Sequence, residues 1–214
     1  MDALRIDIIS DVVCPWCYIG FRQLERALAA TGTKADIHWH PFELNPKMPA
    51  NGQDLSEHLA EKYGTTPAQS ETTRNRISAL GREVGIRFEW GDDMRMLNTF
   101  DAHRLIHWSE PHGRAQDVKL ALFEAYFTEG ADISDHETLA LIAAMNGLPK
   151  AEAKAMLASK DGVKEVRAAE KEWTEAGVSS VPSVILDERF LINGAQGVQG
   201  YSNLLTRLRN GSLG

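Results

Sequence analysis

The chain has 214 residues, 43% of them hydrophobic, enough to bury a sizeable core as one large domain or as one domain carrying an insertion. Its formal charge of −7 and pI near 5.5 give no electrostatic basis for binding nucleic acid, and no polybasic segment marks a membrane surface. With two cysteines in the whole sequence it is no disulfide-stapled miniature, and a soluble protein or small-molecule partner is expected.

The run from Leu4 to Ser10 is rich in β-branched residues and reads as a strand. Asp2, Arg5 and Asp7 interrupt the apolar residues of this N-terminus, so it lacks the shape of a signal peptide, and no later run is long enough to span a bilayer. With Met1 as the native start, a cytoplasmic location is expected. A mature chain whose signal had been removed would read the same.

Cys14-Pro15-Trp16-Cys17 follows the strand and opens a helix-like run in which Tyr18, Phe21, Leu24, Ala27 and Leu28 recur at helical spacing. This puts Cys14 at the helix N-terminus, where unpaired N–H groups and the positive end of the dipole favour a thiolate. Cys17 lies one turn inward and less exposed. Cys14 is therefore read as the attacking thiol and Cys17 as the thiol that resolves a mixed disulfide. A lone C-x-x-C can also be half of a zinc cluster, but structural zinc usually takes four ligands and there is no second cysteine pair. His38 and His40, two apart on a strand-like run, share one face and are read as ordinary strand residues, so no metal is expected. In a reducing compartment a pair of this kind is catalytic more often than structural.

Ala35 to Phe42 is a second strand candidate, and Glu43 to Gly52, rich in proline, asparagine and glycine, reads as an exit loop and a boundary. From there the pattern is helical, with candidate helices at 54–63, 67–84, 99–109, 114–127, 135–145, 150–158 and 161–175. Ser134 and Glu137 have the spacing of a capping box. Asn98 reads as a helix N-cap, and Phe88 and Trp90 as packing residues between helices. After Gly177 the character returns to β: Val181 to Leu186, a turn at Asp187-Glu188-Arg189, and Phe190 to Ile192 returning antiparallel. Tyr201, Leu204, Leu205 and Leu208 mark a final amphipathic helix. The order gives an α/β, thioredoxin-like fold with a large all-helical insertion. Residues 1–43 and 178–214 are expected to form a discontinuous thioredoxin-like domain, and 53–175 the inserted helical domain.

Together, Cys14-Pro15-Trp16-Cys17, the helical insertion and Val181-Pro182 resemble the DsbA family of thioredoxin-fold oxidoreductases, in its FrnE-like branch. That branch borders on 2-hydroxychromene-2-carboxylate isomerases and kappa-class glutathione transferases. The resemblance covers nearly the whole chain, and its most specific marks are Asp11 to Tyr18 and Asn98 to Leu105. It implies a cis Val181–Pro182 bond facing the cysteines, with the Val181 backbone offering an edge to an extended substrate. It also implies that Asn98 and His103 lie over the site to contact substrate or glutathione. Without it, His103 is a polar helix residue. Pro15 and Trp16 sit where a substrate would touch the helix start, and Asp11 is a candidate for proton transfer or for holding the turn before the helix.

The reading is a thiol–disulfide oxidoreductase that exchanges the Cys14–Cys17 pair with protein or small-molecule thiols and disulfides. No cofactor is expected to be tightly bound, and glutathione is a candidate co-substrate. The alternatives are a glutathione-dependent isomerase or transferase of an aromatic small molecule and a redox-linked, chaperone-like binding protein. The isomerase relatives usually carry serine in place of Cys14, so both thiols argue against that alternative. The substrate, the redox direction and the oligomeric state are left open.

Overall fold

The computed structural model describes residues 3–212. The outermost residues of the expected domain boundaries, 1–2 and 213–214, lie outside these.

Strand β1 (Leu4–Ser10) has every residue from Ile6 to Ser10 buried, which requires cover on both faces of the sheet. Helix α1 (Pro15–Thr31) follows, with Pro15 in its first turn, where the missing N–H removes no helical bond. Its buried residues Cys17, Phe21, Leu24 and Leu28 fall on one stripe, and Gly32 ends it at φ 64°, a left-handed conformation that only glycine adopts at little cost. Strand β2 (Ala35–Pro41) then returns parallel to β1, pairing Leu4 with Ala35 and Ser10 with Pro41, to complete a β-α-β unit.

The inserted block runs through α2 (Leu55–Tyr63), α3 (Pro67–Glu83), α4 (Phe100–Ser109), α5 (Ala115–Phe127), α6 (His136–Met145), α7 (Lys150–Ala158) and α8 (Val163–Glu175). These seven elements answer the expected helices to within two residues. In one respect the expectation is corrected: the block is not all-helical. Strands β3 (Gln53–Asp54) and β4 (Arg95–Met96) pair antiparallel as a small ribbon within it. Two residues per strand are too few to leave a period-two signature, and the pairing is made between distant segments. A second correction concerns the start of α6. The cap is Asp135, whose carboxylate accepts from the Thr138 N–H at 2.8 Å, while the Ser134 hydroxyl bonds Asp132 instead.

The chain closes with β5 (Ser183–Leu186), β6 (Phe190–Asn193) and α9 (Gly197–Arg209). The turn between the strands carries positive φ at Asp187 (56°) and Glu188 (54°). The main sheet has the order β2-β1-β5-β6, with β1 antiparallel to β5 and β5 to β6. Helices α1 and α9 pack against each other, and α5 and α8 pack on β2. One buried cluster runs from Ile6 and Ile8 in the sheet to Leu105, Phe123 and Leu139 in the insertion, so the two expected domains share a core. Phe88 packs within it, stacked on Trp90 (5.4 Å between centroids) and edge-on to Phe127 (5.1 Å). No described helix is long and apolar enough to cross a membrane.

Candidate active site

The end of β1, the start of α1 and the loop before β5 meet at the cysteines. Pairing of β1 with β5 brings Val181 and Pro182 beside Cys14, and the Val181–Pro182 bond is cis. Cys14 occupies the N-cap position of α1 in an extended conformation, with no side-chain cap, and its thiol points at the Val181 carbonyl oxygen, 3.7 Å away. Pro182 also closes on α1: a Cβ placed on Gly20 would lie 3.3 Å from its Cγ.

Both cysteines are free thiols, and both are buried. Cys14 is 4% exposed, so the expectation of an exposed sulfur at the helix start is corrected. Cys14 belongs to the core cluster that also holds residues of the insertion, and the half-buried Trp16 packs against that cluster, which the spacing of the motif alone did not convey. Cys17 is 1% exposed. Burial pushes its thiol well above the ordinary range, and the hydrogen bond and charge of Cys14 push the same way. The charge of Lys119 and the backbone N–H of Asp11 oppose that rise.

A cleft of about 410 Å³ opens onto Cys14, Pro15, Trp16 and Val181. Its walls come from the insertion, chiefly Leu55, Leu59, Ile77, Met94 and Phe127, and are mostly apolar. Among the polar groups that interrupt them are three on α2 and α3. His58 is buried and its Nδ1 meets the Gln53 side-chain oxygen at 2.9 Å, so Nδ1 carries the proton and Nε2 is an acceptor without a partner. Burial and the charge of Lys62 lower its basicity, although Glu61 opposes them. The Ser70 hydroxyl is likewise buried without a partner, and Arg74 lies on the same wall. None of these three carries a local sequence signature.

Asp11, Asn98 and His103 do not line this cleft. The Asp11 carboxylate is wholly buried behind the cysteines, where it accepts from the Leu44 N–H at 2.7 Å and meets His103 Nε2 at 3.2 Å. His103 Nε2 also lies 3.1 Å from the Phe42 carbonyl. Both partners are acceptors, so this nitrogen carries the proton and donates to each. Burial alone would raise the Asp11 carboxyl, but the His103 bond and charge, the Leu44 N–H and the charge of Lys119 outweigh it and hold the group below the ordinary carboxylate range. His103 is thus placed beneath the site rather than over it. Asn98 sits one residue before the N-cap of α4, where its Oδ1 accepts from the Phe100 N–H at 3.0 Å and its Nδ2 donates to the Met48 carbonyl at 2.8 Å. It ties the helix start to the exit loop.

Lys119 was not singled out by its sequence context, yet it lies 1% exposed, in the core. The signal was present: in α5 it falls on the buried stripe of Val118, Leu122, Phe123 and Tyr126. Its ammonium reaches the Ser10 carbonyl at 3.3 Å and lies over the rings of Trp39 (5.4 Å) and Phe123 (5.1 Å). Burial lowers it to about 8, against the opposing charges of Cys17, Asp11 and Cys14. His38 and His40 are engaged by Asp36 (3.0 Å) and Asp7 (2.8 Å), and among the described residues no cluster of three or more His, Cys, Asp or Glu is arranged to hold a metal ion.

Comparison with known proteins extends over the same span. The family model described as a DSBA-like thioredoxin domain matches residues 5–206. A probable DsbA oxidoreductase from Streptomyces coelicolor has 31% identity to the chain, with 97% of this chain and 90% of that one covered and a TM-score of 0.88. A 2-hydroxychromene-2-carboxylate isomerase shares the fold at 16% identity, 98% and 99% coverage and a TM-score of 0.75. So does the cytosolic disulfide reductase DsbM from Pseudomonas aeruginosa, solved with GSH, at 19% identity, 96% and 100% coverage and a TM-score of 0.67.

Proposed function

The chain belongs to the DSBA-like thioredoxin-domain family, and on that premise we propose that it is a dithiol–disulfide oxidoreductase working through Cys14 and Cys17. The observation that carries the proposal is the Cys14 thiol, which faces the Val181 carbonyl at 3.7 Å and neighbours Cys17 at the start of α1. An extended substrate entering the cleft can pair with the Val181 backbone while presenting a sulfur to Cys14. The Cys14 thiolate then attacks one sulfur of the substrate disulfide and expels the other as a thiolate. Cys17 attacks Cys14 in the mixed disulfide, which releases the second substrate thiolate and leaves the enzyme oxidised. Run in reverse, the same steps donate the disulfide to a substrate dithiol.

Trp16, Pro15 and Val181 are the substrate contacts in this reading, with the apolar wall accepting hydrophobic side chains and Arg74, Ser70 and His58 available to polar ones. No dissociable cofactor takes part, glutathione serves as a co-substrate that recycles the pair, and the reaction is placed in the cytoplasm, where thiols are kept reduced. A glutathione-dependent isomerase is the second reading, favoured by the mostly apolar cleft and opposed by the presence of two thiols.

The test is a Cys17→Ala variant, whose mixed disulfides cannot be resolved. Captured partners are released with reductant and identified by mass. Protein disulfides on Cys14 support the proposal; glutathione as the sole adduct supports the second reading.

A further inference from the structure

The cleft that reaches Cys14 and a second cavity, of about 590 Å³ against β2, α4, α5 and α8, differ in the charge of their linings. Asp36, Glu110 and Glu165 stand with Lys119 on the second. The cleft at Cys14 has no Asp or Glu among its lining residues and a single Lys or Arg, which is Arg74. In a chain of formal charge −7 this is a local reversal of sign. Lys62 strengthens it, because its ammonium donates to the Leu44 carbonyl (2.9 Å) and to Asn45 Oδ1 (2.6 Å), and both residues belong to the same lining.

Arg74 is half-buried on α3, on the stripe of Ser70, Thr73 and Ile77 that lines the cleft. Among the described residues it makes no hydrogen bond and no ion pair. A guanidinium presents its N–H donors in a planar fork that matches a carboxylate, and no carboxylate of the cleft takes them up. The same lining holds two buried side chains without partners: His58 (7% exposed), with Nε2 as an acceptor, and Ser70 (5% exposed), with its hydroxyl. The N–H and C=O groups of a peptide satisfy an acceptor and a hydroxyl of this kind, and Val181 adds a backbone edge beside the reactive sulfur. With about 410 Å³, the cleft holds a few residues of extended chain at most, so a side chain that meets Arg74 stands close in sequence to the one that meets Cys14.

We propose that Arg74 is a specificity residue, which selects an extended peptide segment carrying an acidic side chain within about three residues of its cysteine. This rests on the oxidoreductase reading and names the substrate class for it. The carboxylate meets the Arg74 guanidinium, the peptide backbone runs along Val181, and neighbouring apolar side chains lie on Leu55, Leu59 and Phe127.

The test uses apolar peptides with one cysteine, blocked as its 2-pyridyl disulfide, and with Glu, Gln or Lys at successive positions on either side. The Cys14 thiolate of the reduced protein attacks the peptide sulfur, a mixed disulfide forms, and the neutral pyridine-2-thione that leaves reports the rate by its absorbance. At the favoured position the wild type should react about 10-fold faster with Glu than with Gln at low salt, and slowest with Lys. Added salt should shrink the difference. Arg74→Gln should bring the Glu and Gln peptides to the same rate, and Arg74→Glu should place Lys ahead of Glu. Arg74 has no partner in the fold to lose, so both variants should keep the wild-type Tm. A wild type indifferent to charge at every position, or a preference for Glu that survives Arg74→Glu, overturns the proposal. It is also overturned if Arg74→Glu slows the reaction with oxidised glutathione, used as a small anionic disulfide, while the peptides all react alike. Failure of the oxidoreductase reading is distinct, because no peptide would then release pyridine-2-thione.

Discussion

The thiol of Cys14 and the carbonyl oxygen of Val181 lie 3.7 Å apart although 167 positions separate them in the chain. The antiparallel pairing of β1 with β5, with Ile9 opposite Ser183, sets this approach from one side. From the other, the bare Cα of Gly20 lets Pro182 close on α1.

That closeness is testable by adding volume. At Gly20→Ala the new Cβ stands 3.3 Å from Pro182 Cγ and 3.4 Å from Ala195 Cβ, gaps that neighbours can widen by a few tenths of an ångström. The gain in helix propensity offsets the crowding, so stability should change little. Gly20→Val should cost about 1–3 kcal/mol by overpacking and slow the reaction of Cys14 with a disulfide by moving the Pro182 loop. Equilibrium unfolding and the rate at which the reduced protein releases arylthiolate from dithiobis(nitrobenzoate) measure the two effects. A valine variant as stable and as fast as wild type contradicts the account.

Asp11 joins the turn before α1 to the exit loop and to α4. Asp11→Ala leaves the Leu44 N–H without its acceptor and takes the Asp11 side of the His103 bond away, both in the interior. A loss of about 3 kcal/mol is expected. The native carboxyl is held below its unfolded value, so its contribution is complete above the ordinary carboxylate range and is lost as pH falls through the depressed folded value. The gap in unfolding free energy between wild type and variant should therefore be constant near neutrality and shrink in acid. A gap that is the same at every pH would count against the ionised carboxylate.

Glu170 supplies a pH dependence of the opposite sign. Burial, then the charge of Glu43, push it up to about 7, while Arg167, which bridges the two carboxylates, acts the other way. A folded value above the unfolded one means no penalty in acid and a growing one as pH rises through 7. Glu170→Gln should raise Tm at about pH 8 and leave it unchanged at about pH 4, below the unfolded carboxyl range. Equal effects at the two pH values would show that the substitution acts through packing and not through charge.

The residues between the cysteines bear on redox poise. DsbA is strongly oxidising, at about −120 mV, because its reduced form is stabilised. Pro15 and Trp16 add no cationic side chain beside Cys14, and the buried cation Lys119 acts more on Cys17 than on Cys14. With less stabilisation of the reduced form, a midpoint between about −160 and −260 mV is expected. Equilibration with glutathione buffers, scored as the oxidised fraction, gives the value; a midpoint as oxidising as that of DsbA would refute the reasoning from the dipeptide.

The sequence by itself determined the elements and their order. Helix stripes, glycine stops, the proline after Cys14 and the short β-branched runs are written within a few residues of one another, so the seven inserted helices and four main strands could be read from local periodicity. The thiol pair was legible for the same reason. Tertiary structure alone decided what surrounds it. The burial of Cys14, the joining of Asp11 to His103 across 92 positions, the pairing of Gln53 with Met96 and the unpartnered wall groups His58 and Ser70 arise where segments far apart in the chain are pressed together. Lys119 stands between the two. Its place on an apolar stripe was visible in the chain, but the Ser10 carbonyl and the Trp39 ring that meet its ammonium come from other elements, and only the closed core brings them together.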